Sequence, residues 1–441
     1  MSNKFRKPKP ITEPETEPNE EYLGLSSSFR AAKYITLIFL IVFLVAMTSI
    51  FRRDITAENF KYLVRYMNTT ALEYSGDYRT IYYDPNDTTD IALFNNDIAV
   101  LKNNSVALFD LRGNNTFNYT LNYTDSMMVS AGKYILVYDM TAGRYDILNN
   151  FTSLHSESFE YPITAAAIAS NGTYAVVTRD IQFRSVIKIY DSHFRLITNI
   201  YKDKYVMDIR INETGDELLI ISVYAESGNI ETEVMTYSPY SENANNTFTI
   251  DGSMGISGGY HKDGSYTVLC DSGIVFFNKK GKNISQFDFG QTVPTKGLHT
   301  ENYTIFTHDR NVVGEASVIT FFDPTGKEKA ATVIAEKIVD MKYHDGYLYV
   351  LSENRLYRYS PENDELTYCD IESGGTRLFA YDRNTALIAY TGKIKVYSLS
   401  EMFSTDNPGT EAAGSTTDTA EVSETTAAET AVSEEQSDNE S

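Results

Sequence analysis

Most of the chain is a tandem repeat with a period of about 40 residues, and this repeat limits the folds available to it. Each copy closes an alternating apolar and polar run with an apolar residue followed by a small polar one. The copies of this pair are Phe109-Asp110, Leu148-Asn149, Tyr190-Asp191, Tyr237-Ser238, Phe277-Asn278, Phe322-Asp323, Tyr359-Ser360 and Tyr397-Ser398.

A second repeated position lies at the turn upstream of each pair, and it holds glycine or asparagine. These are the residues that most readily adopt the positive φ of a tight hairpin, so the repetition has a physical reason. The eight turn residues are Asn96, Gly132, Gly172, Gly215, Gly264, Asn302, Gly346 and Asn384. Two positions recurring in register argue for eight repeats.

Short runs rich in Val, Ile, Tyr, Phe and Thr alternate with Asn, Asp, Gly and Ser clusters between Tyr78 and Ser400. This alternation is typical of strands and turns, with three or four strands in each repeat. We therefore predict an all-β fold over residues 78–400, a β-propeller with eight blades. Seven blades are the alternative if one repeat is irregular. A pair of β-sandwiches is less suitable because it does not require one turn position to recur eight times.

The last repeat has only three obvious strands, TRLFAYD, TALIAYT and KIKVYSL. The run Tyr78–Asp84, which precedes the first complete repeat, is a candidate for the missing outer strand. A ring closed by both ends of the repeat region would leave no open sheet edge.

An uncharged apolar segment precedes the repeats. Residues 34–51 (YITLIFLIVFLVAMTSIF) contain no charged side chain and, as a helix, just span a hydrocarbon core of about 30 Å. We predict a single transmembrane helix here, with a buried core helix as the alternative. Residues 1–33 are then a flexible cytoplasmic tail and residues 52–77 a juxtamembrane stalk helix. Because long domains translocate largely regardless of flanking charge, we expect the propeller outside the membrane.

The formal net charge of −22 makes nucleic acid an unsuitable partner, but half of this charge lies in one segment. Residues 401–441 contain 11 acidic and no basic side chains, and their composition is dominated by Thr, Ser, Ala and Glu. Such a segment buries too little apolar area to offset its chain entropy. We predict a disordered acidic tail, which leaves only a mild acidic excess on the propeller.

No catalytic, cofactor-binding or metal-binding residue is predicted. The six histidines show no HxH or HExxH spacing, so we expect them to be scattered and exposed. The absence of Trp argues against a quinone cofactor stacked on tryptophan. The segment Asp84–Asp90 has closely spaced oxygen ligands but lacks the glycine and distal glutamate of an EF-hand, so an acidic connection is preferred to a Ca²⁺ site.

Two further features have structural interpretations. The glycine-rich segment Asp251–Gly259 opens no helix that could bind a phosphate, so we expect its glycines on an inner strand crowded near the propeller axis. Cys270 and Cys369 lie in strand-like runs of repeats five and seven, and we expect buried free thiols rather than a disulfide.

The apolar anchor, the stalk and the run from Asp90 to Asn150 carry a resemblance. That run reads DIALFNNDIAVLKNNSVALFDLRGNN and then SAGKYILVYDMTAGRYDILNN. The chain resembles a bacterial family of single-pass membrane proteins that carries a domain of unknown function with a propeller-like exterior. The resemblance implies a location in the cell envelope and supplies no catalytic residues.

These observations favour a membrane-anchored binding or scaffolding propeller for a protein or glycan partner in the envelope, because propeller faces collect loops from every blade. The lipid bilayer would be a second partner, through the anchor. The alternative is a lactonase-like or glycosidase-like hydrolase with its site in the central funnel. Three or more inward Asp, Glu, Asn or His side chains around one pocket would favour the enzyme.

Overall fold

A computed structural model describes residues 32–46 and 80–404, apart from residues 96, 291 and 311–315. The chain divides into two compact units, Met1–Asp77 and Tyr78–Ser441, which are described separately. The predicted stalk over residues 52–77 and nearly all of the amino-terminal tail over residues 1–33 lie outside the described residues.

In the first unit, helix α1 covers residues 32–46 and its side chains are exposed. None of the helices within the described ranges combines the length and the apolar character needed to cross a bilayer. The predicted transmembrane segment over residues 34–51 runs past the last described residue of α1.

The described residues of the second unit form eight antiparallel sheets of four strands each, so the predicted propeller has eight blades and the seven-blade alternative is wrong. Blades 1 to 4 consist of β2 (Thr88–Phe94), β3 (Asp97–Lys102), β4 (Ser105–Phe109) and β5 (Asn115–Thr120); β6 (Ser126–Ala131), β7 (Tyr134–Asp139), β8 (Arg144–Leu148) and β9 (Ser153–Ser158); β10 (Ala165–Ile168), β11 (Tyr174–Thr178), β12 (Ser185–Tyr190) and β13 (Leu196–Lys202); and β14 (Tyr205–Ile211), β15 (Leu218–Glu226), β16 (Asn229–Tyr237) and β17 (Asn246–Ile250).

Blades 5 to 7 follow in the same order. They consist of β18 (Gly255–Tyr260), β19 (Tyr266–Cys270), β20 (Gly273–Phe277) and β21 (Asn283–Asp288); β22 (Pro294–His299), β23 (Thr304–Asp309), β24 (Ser317–Phe322) and β25 (Glu328–Ile334); and β26 (Asp340–His344), β27 (Tyr347–Leu351), β28 (Arg355–Ser360) and β29 (Glu365–Asp370).

Blade 8 joins the two ends of the repeat region. It consists of β30 (Gly375–Ala380), β31 (Thr385–Tyr390), β32 (Lys393–Ser398) and, as its outer strand, β1 (Thr80–Tyr82). Strand β1 pairs antiparallel with β32, with Ile81 opposite Ile394. The prediction that the Tyr78–Asp84 run supplies the missing strand is therefore confirmed.

The first strand of each blade is innermost, because first strands of neighbouring blades contact one another, as β14 does with β10 and β18. The core lies between the blades rather than in one central mass. Each apolar cluster joins adjacent sheets, as where Ile189 of blade 3 packs with Ile220 of blade 4. This layered burial is what a blade with two apolar faces requires.

The propeller has two faces that differ in their connections. One carries the turns between the first and second strands and between the third and fourth strands of each blade, and we call it the turn face. The other carries the hairpins between the second and third strands and the links between blades, and we call it the hairpin face. Glycine occupies the turn at Gly132, Gly172, Gly215, Gly264 and Gly346, in each case with positive φ. The predicted turn chemistry is confirmed at these five positions. It is wrong at Asn302 and Asn384, which do not adopt positive φ, and Asn96 lies outside the described residues.

The ordered chain continues past the predicted boundary at residue 400. Helix α2 (Leu399–Met402) caps blade 8 because the Leu399 side chain is buried, while Met402 and Phe403 pack against the same cluster. The Leu399 backbone N–H donates to the Asn384 carbonyl oxygen at 2.7 Å. The predicted acidic tail lies outside the described residues from residue 405 onward.

Candidate functional site

A cavity of about 910 Å³ opens on the turn face over blades 4, 5 and 6. Its walls come from the inner strands β14, β18 and β22 and from the turns that follow them. Residues far apart in sequence, such as Arg210 and Glu301, meet here only because the blades stand side by side around the axis. We call this cavity the groove.

The space for the groove depends on glycines in strand β18. A Cβ atom on Gly255 or Gly258 would lie 2.7 Å from side chains of strands β15 and β16, and one on Gly259 would overlap His299. At these three positions of β18 only glycine fits between blades 4 and 6. The prediction that the Asp251–Gly259 glycines reflect crowding on an inner strand is confirmed for Gly255, Gly258 and Gly259. It is wrong for Gly252, which precedes the strand, has a positive φ and would leave open space around an added Cβ.

Two histidines of the groove belong to one chain of hydrogen bonds. His299 Nδ1 lies 2.9 Å from Thr267 Oγ1, which lies 2.8 Å from Thr304 Oγ1. Thr304 Oγ1 lies 3.3 Å from His261 Nε2, and His261 Nδ1 lies 2.8 Å from the Thr300 carbonyl oxygen. Because a carbonyl oxygen only accepts, His261 carries its proton on Nδ1, and each group along the chain then has a defined donor or acceptor role.

Both rings are held neutral. Burial lowers the pKa of His299 to about 3, with the positive charge of Arg210 acting in the same direction. Burial also lowers the pKa of His261. The expectation that the histidines are scattered and exposed is wrong for this pair, because their blades bring together residues 38 positions apart in sequence.

A tyrosine and a glutamate occupy the wall beside the histidines. The Tyr260 hydroxyl is buried and has no hydrogen-bond partner within the described ranges. Burial raises the pKa of Glu217, which lines the same wall. A buried hydroxyl without a partner costs free energy, so this wall can gain a hydrogen bond if a ligand or water reaches it.

The mouth of the groove carries both signs of charge. Lys262 and Glu301 face each other at 3.5 Å and are largely exposed. Three cationic and five acidic side chains line the groove in all: Arg210, Lys262, Lys279, Glu213, Asp216, Glu217, Asp263 and Glu301. A surface with both signs at close spacing suits a partner that also carries both.

Two of these carboxylates, those of Asp216 and Asp263, are bound within their own turns. Asp216 accepts from Thr214 Oγ1 at 2.7 Å, and its pKa is lowered mainly by this hydrogen bond and by that of Asn212. Asp263 accepts from the Ser265 backbone N–H at 2.9 Å. Such carboxylates shape the turns and are poorly suited to proton transfer. The groove contains more than three Asp, Glu, Asn or His side chains, which is the number that would favour an enzyme. However, the hydrogen bonds of Asp216 and Asp263 hold these carboxylates in separate turns, so they do not converge on one point.

A second cavity of about 880 Å³ continues the groove across blades 6, 7 and 8. The two share Leu298, His299 and Glu301. The extension adds Lys342, Asp345, Asp382 and Arg383 from the turns of blades 7 and 8. One depression therefore follows the turn face from blade 4 to blade 8.

The other candidate positions lie apart from the groove. The Asp84–Asp90 segment begins as the turn between β1 and β2, where the Asp84 side chain accepts from the Asn86 backbone N–H at 3.0 Å, and it ends within β2. Cys270 and Cys369 are buried free cysteines. Within the described ranges, no group of three or more His, Cys, Asp or Glu side chains is arranged to hold a metal ion.

Comparison with known proteins places the chain in a family. Residues 71–399 match the family of unknown function DUF5711, and the chain belongs to it. This result confirms the resemblance to a domain of unknown function. No curated protein sequence matches the chain.

Solved structures show the fold. BamB from Moraxella catarrhalis is similar with a TM-score of 0.50 and 10% identity, over 73% of this chain and 98% of that one. Apo AztD from Citrobacter koseri is similar with a TM-score of 0.51 and 13% identity, over 69% of this chain and 92% of that one. At identities this low, the similarity shows the β-propeller fold and nothing about function.

Proposed function

We propose that this chain is a binding or scaffolding propeller of the cell envelope that holds a protein partner in the groove of the turn face. The observation that carries the proposal is the continuous depression from blade 4 to blade 8, lined by both signs of charge on a rigid ring. Loops on a rigid scaffold are a common means of recognition.

The chemistry of the groove agrees with a partner that is recognised rather than transformed. The two histidines are neutral, and the carboxylates of Asp216 and Asp263 are committed to turn hydrogen bonds. Exposed charges such as Lys262 are left at the rim, where they steer association and fix the orientation of a partner.

Site-specific photo-crosslinking in the native cell tests this proposal. A photoreactive amino acid replaces Lys262 in the groove, and a matched variant carries it at Lys337, which is exposed on the hairpin face. We expect a discrete adduct with one protein from position 262 and none of that mass from position 337. Equal adducts from both positions, or none from position 262, would overturn the groove as the binding site.

A charge reversal makes the test quantitative. For this test the photoreactive amino acid is placed at Lys279, which also lines the groove, so that position 262 can be changed. Lys262→Glu places a third carboxylate beside Glu301 and Asp263 at the rim, so we expect the yield of the adduct from position 279 to fall severalfold. Lys337→Glu makes the same change in charge away from the groove and should leave the yield unchanged.

The location is part of the proposal. The uncharged segment over residues 34–51 supports a membrane anchor, with the propeller on the outer side of the membrane. A reporter enzyme active only outside the membrane, fused after Ser404, should be active. A reporter active only in the cytoplasm, fused at the same position, should be inactive, and the reverse pattern would place the propeller inside.

One observation favours the alternative of a hydrolase. Burial raises the pKa of Glu217 in the groove wall, as expected for a general acid. If the groove hydrolyses glycosides or lactones, the purified chain should turn over an aryl glycoside or a lactone, and Glu217→Gln should abolish that activity while Asp216→Asn retains most of it. No turnover with either substrate class, or equal activity in both variants, counts against the enzyme.

A further inference from the structure

The hairpin face of blade 4 carries a projecting ribbon. Strands β15 and β16 have nine residues each, whereas the second and third strands of the other blades have five or six. The outer pairs, from Tyr224 opposite Glu231 to Glu226 opposite Asn229, have no third strand beside them, because β14 pairs only as far as Val223 and β17 only from Thr232. Both edges of the ribbon are therefore open.

Open strand edges are pairing sites, and a ribbon of two strands is marginally stable alone. The tip turns through Ser227 and Gly228, both with positive φ, so the ribbon is a tight hairpin and not a floppy loop. A tight hairpin with two open edges can be stabilised by pairing or packing with another surface.

Large apolar side chains are exposed on blades 3 and 4 toward the hairpin face. Ile181 is 86% exposed, Tyr205 54% and Ile230 48%, and Tyr201 and Met207 are exposed beside them. The loop that holds Ile181 contacts two of these rings, since the Phe183 and Tyr201 ring centres lie 4.9 Å apart and the Arg184 guanidinium lies 5.0 Å from the Tyr205 ring centre. Lys204, in the turn between Tyr201 and Tyr205, lies 3.7 Å from the ring centre of Tyr224 in the ribbon. We call the ribbon and these side chains the ribbon patch. Contiguous exposed apolar groups of this kind mark interaction sites.

Charge divides the ribbon patch into two ends. Glu226 and Glu231 at the ribbon, with Asp251 beside them, make one end acidic. The Glu231 Oε2 atom is buried and has no hydrogen-bond partner within the described ranges. An acceptor in that position gains from a donor supplied by another molecule.

The opposite end is basic. Arg179 and Arg184 are exposed in the loop before β12, with their guanidinium groups 5.4 Å and 5.0 Å from the ring centres of Tyr161 and Tyr205. Asp180 in the same loop accepts backbone hydrogen bonds from Gln182 at 2.6 Å and Phe183 at 3.1 Å, so its charge is held within the loop.

The middle of the patch is close to neutral. Lys202 and Lys204 lie 3.6 Å and 2.9 Å from the two carboxylate oxygens of Glu233, and Asp203 is exposed in the turn between them. The ribbon patch therefore has an acidic end at the ribbon, an apolar centre with little net charge, and a basic end at the loop before β12.

We propose that a second copy of this chain occupies the ribbon patch, in a dimer with two-fold symmetry. In such an interface the same surface is used twice, so the acidic ribbon of each copy meets the basic loop of the other. A surface that carries an apolar centre between two ends of opposite charge is complementary to itself under that rotation. This dimer is separate from the partner in the groove, which opens on the other face.

Sedimentation of the full chain in a detergent-containing buffer tests the proposal first. We expect a monomer to dimer transition with rising protein concentration, weakened by salt because charge pairs contribute. A chain that stays monomeric up to about 100 μM, where even a weak dimer with a Kd of about 10 μM would form, would overturn the proposal.

Charge reversal identifies the surface. Glu226→Arg with Glu231→Arg makes both ends of the patch basic, and Arg179→Glu with Arg184→Glu makes both ends acidic. Each variant alone should dimerise at least about tenfold more weakly. Mixed in equal amounts, they should form a heterodimer, because each end of one variant then faces the opposite charge of the other.

The mixing experiment also guards against misfolding, since an unfolded variant would not regain association. Glu328→Arg with Glu365→Arg makes the same change in charge on blades 6 and 7 and should dimerise like the unaltered chain. Dimers that persist in either patch variant, or a mixture that fails to associate, would overturn the assignment of this surface.

Discussion

Two junctions between neighbouring blades hold the ring in different ways. At the closure, where blade 8 meets blade 1, the Arg377 guanidinium contacts the Asp90 carboxylate and donates to the Ile91 carbonyl oxygen at 3.0 Å. At the junction of blades 5 and 6, neutral histidines and threonines share hydrogen bonds, and glycine backbone packs directly under side chains such as His299.

The difference follows from the path of the chain. Blades 5 and 6 are consecutive in sequence, so close fit and neutral hydrogen bonds align them once the connecting turn forms. Blades 8 and 1 are joined through β1, a strand of three residues from the opposite end of the repeat region. The closure therefore combines a long-range strand pairing with an ion pair, whereas the blade 5–6 junction depends on shape and neutral hydrogen bonds.

The largest effect is expected from the buried side chain of the closing strand. Ile81 is fully buried and packs with Ile394, Phe379 and Ile98 from both blades. Ile81→Ala leaves a cavity at the closure and should lower the free energy of unfolding by about 3 kcal/mol, measured by denaturant unfolding.

Tyr82 provides the control for this strand, because its side chain is 73% exposed. Tyr82→Ala should change the free energy of unfolding by about 0.5 kcal/mol or less. If the two substitutions had equal effects, β1 would not close the ring in the manner described.

At the blade 5–6 junction, an added side-chain atom should lower the free energy of unfolding more than the loss of a hydrogen bond. Gly259→Ala introduces a methyl group that overlaps the His299 side chain, so strand β18 must shift, at a cost of about 2 kcal/mol. Ser257→Ala on the same strand removes only a 3.3 Å contact with His299 and should cost well under 1 kcal/mol. A neutral Gly259→Ala would contradict the crowding.

The parts of the fold that could be predicted from sequence are those set by local patterns. The eight turn positions, the strand runs and the closing run are local patterns, because turn chemistry and alternation act over a few residues. The spacing of 47 residues between Tyr190 and Tyr237, the longest in the series, was the available signal of the extended β15–β16 ribbon. This long spacing can be assigned to the ribbon only once the structure shows that β15 and β16 extend beyond β14 and β17.

The groove left no comparable signal. Arg210, Glu217, Tyr260 and His299 belong to three repeats and to no shared motif, and the propeller ring alone brings them to one cavity. The neutral state of the two histidines was likewise hidden, because it depends on burial between blades and on a chain of hydroxyl groups. Repeat analysis predicts where a blade begins and ends, but not what neighbouring blades enclose.

The histidine chain predicts an acid sensitivity confined to the blade 5–6 junction. The pKa of His299 falls to about 3 in the folded chain, below its ordinary value of 6.5, so the folded state favours the neutral ring. The contribution of His299 to the free energy of unfolding is fully present above about pH 6.5. It is lost as the pH falls toward 3, by at most about 1.4 kcal/mol per pH unit, because the unfolded chain binds the proton more readily.

His299→Gln should flatten the dependence of the unfolding free energy on pH between 6.5 and 4.5. His193→Gln, at an exposed histidine of blade 3, should leave the slope unchanged. If the slope survived in His299→Gln, the acid sensitivity would belong to other groups, and the neutral chain of hydrogen bonds would not govern this junction.

The smallest effect is expected from the ion pair of the closure. Arg377→Met keeps much of the side-chain volume but removes the contact with Asp90, and since Arg377 is 49% exposed the loss should be about 0.5–1 kcal/mol. The difference should shrink in about 1 M salt, where charges are screened within about 3 Å. Arg383→Met, also on blade 8, removes a pair with Asp345 whose arginine is 84% exposed, and should have almost no effect. A loss that did not change with salt would mean that Arg377 holds the closure by packing, as at the junction of blades 5 and 6, and the distinction between the two junctions would fail.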